Sequence, residues 1–321
     1  MTETATTRAD ARASEPLLSA RQVTMQFGGL TAVNKVDLDI HPGEIVGLIG
    51  PNGAGKTTFF NCLTGMYQPT SGQVLFDGAV LPPKPRRVAV AGVARTFQNI
   101  RLFHNMTALE NVMVGRYART KTNALDAIFR LPRHRREEAE TREVAREWLE
   151  FVGLGDHADS LSRNLPYGDQ RRLEIARALA LEPKLLLLDE PTAGMNPQET
   201  REAEALITRI RELGMAVLVI EHDMRFIFSL CDRVACLVRG EVLIDDVPAV
   251  VQHDERVIEA YIGAPVDTGD EPEAPEPDRR TLAPNKPLLE FPPNAINPIL
   301  GRRHRGEHRH EGHEPEGRND A

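Results

Sequence analysis

One stretch constrains this chain more than any other: Gly50-Pro51-Asn52-Gly53-Ala54-Gly55-Lys56-Thr57-Thr58. The apolar run Ile45-Val46-Gly47-Leu48-Ile49 leads into it. A helical pattern beginning Phe59-Phe60-Asn61-Cys62 leads out, until Gly65 offers a stop. The form G-x-x-x-x-G-K-[ST], set between a buried strand and a helix, is a phosphate-binding loop. A chance match in a glycine-containing turn would not bring both flanking elements with it.

The residue types follow from the chemistry. A triphosphate carries several negative charges, and a ring of backbone N–H groups can hold it. The backbone closes around phosphate only where side chains do not intrude, which suits Gly50, Gly53 and Gly55 to the bend. A helix starting near Gly55 adds the positive end of its dipole. Lys56 is placed to reach the β- and γ-phosphates, and Thr57 to offer a hydroxyl to Mg²⁺.

Composition narrows the partners. With 39 basic and 47 acidic residues the net charge is −8, which argues against a nucleic-acid-coating surface. The three cysteines, Cys62, Cys231 and Cys236, have neither disulfide-framework nor zinc-site spacing and read as small core residues in a reducing compartment. No uncharged apolar run is long enough to span a bilayer. Residues 1–16 are polar, lack the apolar stretch of a secretory signal, and read as a disordered lead-in. A membrane connection would then run through a partner.

Along the chain, Gln22-Val23-Thr24-Met25-Gln26-Phe27 alternates as a half-buried strand, and Gly28-Gly29 turns it. Phe27 is either a core residue or an aromatic placed to stack on a base. Val33 to Ile40 is a second strand, Gln73 to Phe76 another, and Pro82-Pro83-Lys84-Pro85 a stiff surface connection. Ala94-Arg95-Thr96-Phe97-Gln98 ends a strand-like run on a glutamine. Thr107-Ala108-Leu109-Glu110 is a capping box. From there to about Leu161 the chain reads as helical, split at Leu131-Pro132-Arg133. The basic run Arg130, Arg133, Arg135, Arg136 reads as a solvated helix face.

Leu165-Pro166-Tyr167-Gly168-Asp169 leads into an amphipathic helix through Leu179, closed by Pro183. Leu185-Leu186-Leu187-Leu188 then fits a strand buried on both faces, as in a parallel sheet. Asp189 and Glu190 stand at its exit. Adjacent strand residues face opposite ways, so the two carboxylates should do different work. Glu199 to Leu213 is a helix stopped by Gly214. Ala216 to Ile220 is a second buried strand, with Glu221-His222-Asp223 at the same sheet edge. Cys231 to Leu237 and Glu241 to Asp245 suggest a closing hairpin.

The phosphate loop, Gln98, the Gly168 segment, Leu185 to Glu190 and His222, in this order, resemble an ATP-binding-cassette (ABC) ATPase over roughly residues 17–263. The resemblance implies an α/β fold: a P-loop NTPase core with a mainly parallel sheet flanked by helices, an antiparallel β subdomain, and an inserted helical subdomain at about 99–165. It also implies the roles. Phe27 matches the aromatic that stacks on adenine. Gly50, Pro51, Asn52, Gly53, Ala54, Gly55, Lys56, Thr57 and Thr58 match the nucleotide-binding loop. Gln98 matches the glutamine that contacts Mg²⁺ or the attacking water. Asp189 matches the aspartate that supports Mg²⁺, Glu190 the general base, and His222 the switch histidine on the γ-phosphate. In such proteins two cassettes close head to tail, with ATP between one loop and the other's signature segment, here Tyr167 and Gly168.

Two residues depart from the family pattern. The signature hydroxyl is replaced by Pro166, and the usual aspartate of the following loop is Asn196. The Tyr-Gly signature followed by Gln170-Arg171-Arg172-Leu173-Glu174-Ile175-Ala176-Arg177, together with Phe27-Gly28-Gly29-Leu30 and the run from Ala94 to Ile100, resembles the ATPases of branched-chain amino-acid importers. The long segment from Arg116 to Arg136 is similar to the larger of that system's two ATPases. The implied cofactors are ATP and Mg²⁺. The implied partners are two transmembrane permeases, a second ATPase or another copy of this chain, and indirectly an extracytoplasmic binding protein. The implied place is the cytoplasmic face of the inner membrane. Lipid or lipopolysaccharide exporter ATPases are the alternative. A soluble cassette acting on ribosomes or DNA is disfavoured by one phosphate loop and no sustained heptads. Residues 264–321, acidic and Pro-rich and then His-rich, read as a disordered tail.

Overall fold

The computed structural model describes residues 15–119 and 132–262. Most of the N-terminal lead-in, the middle of the Arg116–Arg136 segment and the whole His-rich tail lie outside the described residues.

Two sheets form the frame. In the smaller one, β1 (Leu18–Phe27) pairs antiparallel with β2 (Leu30–Ile40), from Leu18 against Ile40 to Phe27 against Leu30. Gly28 makes the intervening turn at φ +57°, a conformation glycine adopts without penalty. The other edge of β1 pairs antiparallel with β4 (Ser71–Phe76), which carries the short β5 (Ala79–Val80).

The larger sheet has six strands in the order β10-β9-β3-β8-β7-β6. Strands β3 (Ile45–Ile49), β6 (Val93–Arg95), β7 (Leu185–Asp189), β8 (Ala216–Ile220) and β9 (Arg233–Val238) run parallel. Only β10 (Glu241–Asp246) is antiparallel. The hairpin expected from the sequence therefore exists, but its first strand is also an inner strand of the parallel sheet.

The leucine run of β7 is buried at every position because its alternate side chains enter two different cores. Leu185 and Leu187 join Val46, Leu48, Leu218, Ala235 and Phe59 beneath the small sheet. Leu186 and Leu188 join Ile45, Ile49, Val217, Val219 and Cys236 on the opposite face. Period-two alternation inside continuous apolar runs thus sorts each strand between two layers.

Helix α1 (Lys56–Leu63) follows the phosphate loop. Helix α2 (Pro85–Ala91) begins at the last residue of the stiff connection, a helix that the sequence reading did not anticipate. Pro85 stands at its first turn, where proline's fixed φ and missing N–H cost nothing. Helix α3 (Ala108–Arg116) opens on the expected capping box. Thr107 accepts from the Glu110 amide at 3.1 Å, and Glu110 accepts from the Thr107 amide at 2.8 Å.

Helix α4 (Pro132–Phe151) opens at the proline expected to break the run. It ends before Gly153, at φ +77°, rather than near Leu161, and two short 3₁₀ turns follow. Helix α5 (Tyr167–Leu179) completes this layer, with Leu173 and Leu179 fully buried. Helices α6 (Pro197–Glu212), α7 (Met224–Leu230), α8 (Pro248–Val251) and α9 (Glu255–Ile262) cover the remaining edges. No helix among the described residues is long and apolar enough to cross a membrane.

All three cysteines are buried and free. Burial raises the thiol pKa of Cys62 to about 12 and of Cys236 to about 11, and pushes Cys231 up as well. A thiol-specific reagent at pH 8 is expected to leave the native protein unmodified over hours and to titrate all three in denaturant. Rapid labelling of the native chain would place a cysteine outside the core.

Candidate functional site

Three strand exits and one glycine turn meet at the carboxyl ends of β3, β6, β7 and β8. At the turn, Gly50 has φ +150° and Gly55 has φ +95°. A Cβ on Gly50 would stand 2.1 Å from the Leu237 carbonyl oxygen, and one on Gly55 would stand 2.2 Å from that of Ala32. A Cβ on Gly53, at φ +73°, would meet nothing within 4 Å. Two glycines thus press the turn against its supports, while the third leaves open space at its crest. The N-cap position of α1, Gly55, provides no side-chain cap, so the first-turn amides are left to a ligand.

Lys56 is only 6% exposed, and its ammonium donates to the carbonyls of Gly50 at 2.7 Å and Pro51 at 3.0 Å. Thr57 and Asn52 are exposed, Pro51 and Thr58 half-buried, and Ala54 buried. An open crest, uncapped amides and a cation folded over the turn fit a phosphate chain.

The turn is fastened from behind. Gly240, between β9 and β10, donates to the Ala54 carbonyl at 2.9 Å. The Tyr261 hydroxyl, on α9, accepts from the Gly50 amide at 2.7 Å, and burial pushes its own ionisation up. No sequence pattern marked Tyr261. Tyr261→Phe leaves that amide without its acceptor, at about 1–3 kcal/mol. The expected result is a fall in melting temperature of roughly 2–10 °C for a domain of this size, read by circular dichroism. A Tyr261→Phe protein melting with the parent would make the contact incidental.

The two carboxylates after β7 part company, as their order suggested, though not through strand alternation alone. Asp189 is 5% exposed and pairs with Arg95 at 2.9 Å. Burial pushes its carboxyl up, and the Arg95 guanidinium opposes that shift. Arg95 is held in turn by Asn61 at 2.6 Å, with its guanidinium over the rings of Phe60 and Phe97. Thr96 accepts from the Asp189 amide at 3.3 Å.

Glu190 leaves the strand in the left-handed region, φ +47°, which is strained for a side chain with a Cβ. The turn swings its carboxylate to His222 Nε2 at 2.5 Å and to the Gln98 amide nitrogen at 3.1 Å. The hydrogen bond from His222 holds Glu190 below the usual carboxylate range, and the same bond pushes His222 up. The Lys56 charge acts on both, which places the glycine turn and this cluster in one electrostatic site.

His222 stands on a braced corner. Glu221, 4% exposed, accepts from the Thr192 amide at 2.8 Å and its hydroxyl at 2.5 Å, locking the exits of β7 and β8 together. Asp223 caps α7 through the amides of Arg225 and Phe226.

Tyr167 and Gly168 open α5. Pro166 is extended at the N-cap and supplies no capping side chain. The Tyr167 ring is 46% exposed and lies against Gly194, at 3.4 Å from where a Cβ would stand. Gly168 is packed so closely that a Cβ would meet Glu199 at 2.9 Å. Asn196 caps α6 by accepting from the amides of Gln198 at 2.8 Å and Glu199 at 3.1 Å, work that needs no charge. Phe27 is half-buried, its ring edge-on to Tyr67 with centroids 5.5 Å apart.

The structure therefore joins Lys56, Asp189, Glu190, Gln98 and His222. It keeps Phe27 beside Tyr67 and Tyr167 beside Gly194. Arg95, Glu221 and Tyr261 escape sequence reasoning because each acts on a residue 29 to 211 positions away. Among the described residues no group of three or more His, Cys, Asp or Glu is clustered to hold a metal by itself. The hard oxygens of Thr57 and Asp189 suit Mg²⁺ only together with phosphate oxygens.

Comparison with known proteins points the same way. Residues 33–193 match the ABC transporter family. The chain is 46% identical over 252 residues to the high-affinity branched-chain amino acid transport ATP-binding protein LivG of Escherichia coli, and 47% identical over 252 residues to BraF of Pseudomonas aeruginosa. Each alignment spans 78% of this chain and 99% of the relative. It is 34% identical over 250 residues to the lipopolysaccharide export ATP-binding protein LptB of Haemophilus influenzae, covering 77% and 97%. The solved ADP conformation of an ATP-binding cassette of an ABC transporter superposes with a TM-score of 0.69 at 28% identity, covering 78% of this chain and all of that one. Fold, site and sequence agree that the chain belongs to the ABC transporter family, as one of its nucleotide-binding ATPases.

Proposed function

We propose that this chain powers an importer of leucine, isoleucine, valine or a related amino acid. The observation that carries this reading is the identity of 46–47% along almost the whole of LivG and BraF, against 34% to the export ATPase LptB.

In this reading Lys56 and the amides of Gly53 to Thr58 hold the β- and γ-phosphates of ATP, and Phe27 meets the adenine. Thr57 and Asp189, with Gln98 beside them, would hold Mg²⁺, which when bound supplies positive charge against the phosphates. Glu190, kept ionised by His222, takes a proton from water as the water oxygen attacks the γ-phosphorus and the bond to ADP breaks. Gln98 orients that water, and His222 carries positive charge toward the γ-phosphate. Tyr167 and Gly168 present backbone amides to the nucleotide of the opposing subunit, a second ATPase or another copy of this chain. Closure and reopening of the pair drive two permeases, which hold the chain at the cytoplasmic face of the inner membrane and receive substrate from an extracytoplasmic binding protein.

The test is affinity purification of the full chain from its host membranes, followed by reconstitution. Two permeases, a second short ATPase and ATP-dependent leucine uptake are the expected findings. Recovery with lipid-export permeases and no amino-acid uptake would overturn the import assignment and leave the ATPase.

A further inference from the structure

Residues 97–101 leave β6 as irregular backbone, and such backbone has to find hydrogen-bond partners. One helix supplies them. From α5, Arg171 donates to the Phe97 carbonyl at 2.7 Å and also to the Gln98 carbonyl. Glu174 accepts from the amides of Phe97 and Arg101, each at 3.4 Å. Arg177 donates to the Arg101 carbonyl. Arg171 and Glu174 are 3% and 1% exposed and face each other at 3.5 Å. Burial pushes the Glu174 carboxyl up, and Arg177 and Arg171 oppose that shift.

Arg171 has a second attachment. It donates to the Tyr167 hydroxyl at 3.1 Å, with its guanidinium over the Tyr167 ring. One planar fork therefore spans from the exposed start of α5 to the backbone that carries Gln98. Its Nε is buried without a partner among the described residues, an arrangement that costs stability rather than adding to it.

We propose that Arg171 is a positioning residue that ties Tyr167 to the seat of Gln98. A contact made at Tyr167 by the opposing subunit's nucleotide is thereby felt at this subunit's own Gln98. The relay rests on the ATPase reading above. Residues 97–101 and α5 move as one body because Arg171, Glu174 and Arg177 bind five backbone groups of that segment. Glu190 directly follows β7, and its amide donates to the Ile220 carbonyl of β8 at 2.9 Å, so it stays with the parallel sheet. The 3.1 Å contact between Gln98 and Glu190 crosses the two bodies, so a small displacement of α5 makes or breaks it.

Two substitutions test the relay in the full chain with its partner ATPase. Arg171→Lys keeps the charge and loses the fork. Tyr167→Phe removes only the hydroxyl. In a Glu190→Gln background, which holds the ATP-bound pair, amide hydrogen exchange of the peptide covering 97–101 is compared with and without ATP. Closure is expected to change that exchange about tenfold in the parent and less than about twofold in either substituted chain. With Glu190 intact, each substitution is expected to lower kcat about tenfold while KM for ATP stays within about twofold, the signature of an interaction felt in the transition state. A merely structural brace would change melting temperature without separating kcat from KM. If Arg171→Lys does not fold, Tyr167→Phe decides, since its ring is half exposed. A parental exchange response or parental kcat in Tyr167→Phe overturns the relay. A parent that hydrolyses no ATP overturns the ATPase reading, and the relay with it.

Discussion

Glu190→Gln is expected to slow ATP turnover by about 10²- to 10⁴-fold, the range that a positioned general base supplies. Binding of ATP should survive. The substitution keeps the shape of the side chain and touches neither Lys56 nor the glycine turn. An amide cannot accept the proton of the attacking water, so the closed, ATP-bound pair should accumulate. Phosphate release measures the first effect, and size-exclusion chromatography with ATP measures the second. The geometry argues for Glu190 over its neighbour. Asp189 is buried against Arg95, whereas Glu190 lies outside that pair with His222 and Gln98 on its two oxygens. Turnover close to the parental rate in Glu190→Gln would move the base elsewhere.

The glycine turn yields the second large effect, and it divides three glycines that look alike in sequence. Gly50→Ala and Gly55→Ala each drive a Cβ to within 2.1–2.2 Å of a carbonyl oxygen and place it at positive φ. Overpacking costs about 1–3 kcal/mol and the left-handed backbone about 1–2 more. Each variant should therefore lose roughly 2–5 kcal/mol of stability and bind ATP poorly. Gly53→Ala meets no atom within 4 Å and carries only the backbone strain, of about 1–2 kcal/mol. Urea denaturation ranks the three. A Gly53→Ala protein as unstable as Gly50→Ala would show that backbone strain, not crowding, sets the cost.

Regular structure was legible wherever local rules act alone. Thr107 and Glu110 announced a helix start that forms with both of its bonds. Four leucines announced a strand buried on both faces. The misjudged place is a helix end: the helical run expected to reach about Leu161 stops at Phe151, before Gly153 at positive φ. Pro85, at the end of the stiff link, and Pro132, at the expected break, each open a helix, because proline's fixed φ suits a first turn.

The site divides along the same line. By its own chemistry the sequence determined the phosphate turn, the two carboxylates after a core strand and the histidine after the next, because each is written in contiguous residues. Only the tertiary structure decided that Arg95 would neutralise Asp189, that Tyr261 would hold the Gly50 amide, and that Arg171 would grip the backbone beneath Gln98. Those partners lie 94, 211 and 74 positions from the groups they serve. No local pattern encodes such pairs. A buried charge or amide takes whichever partner the packed layers bring within hydrogen-bond reach.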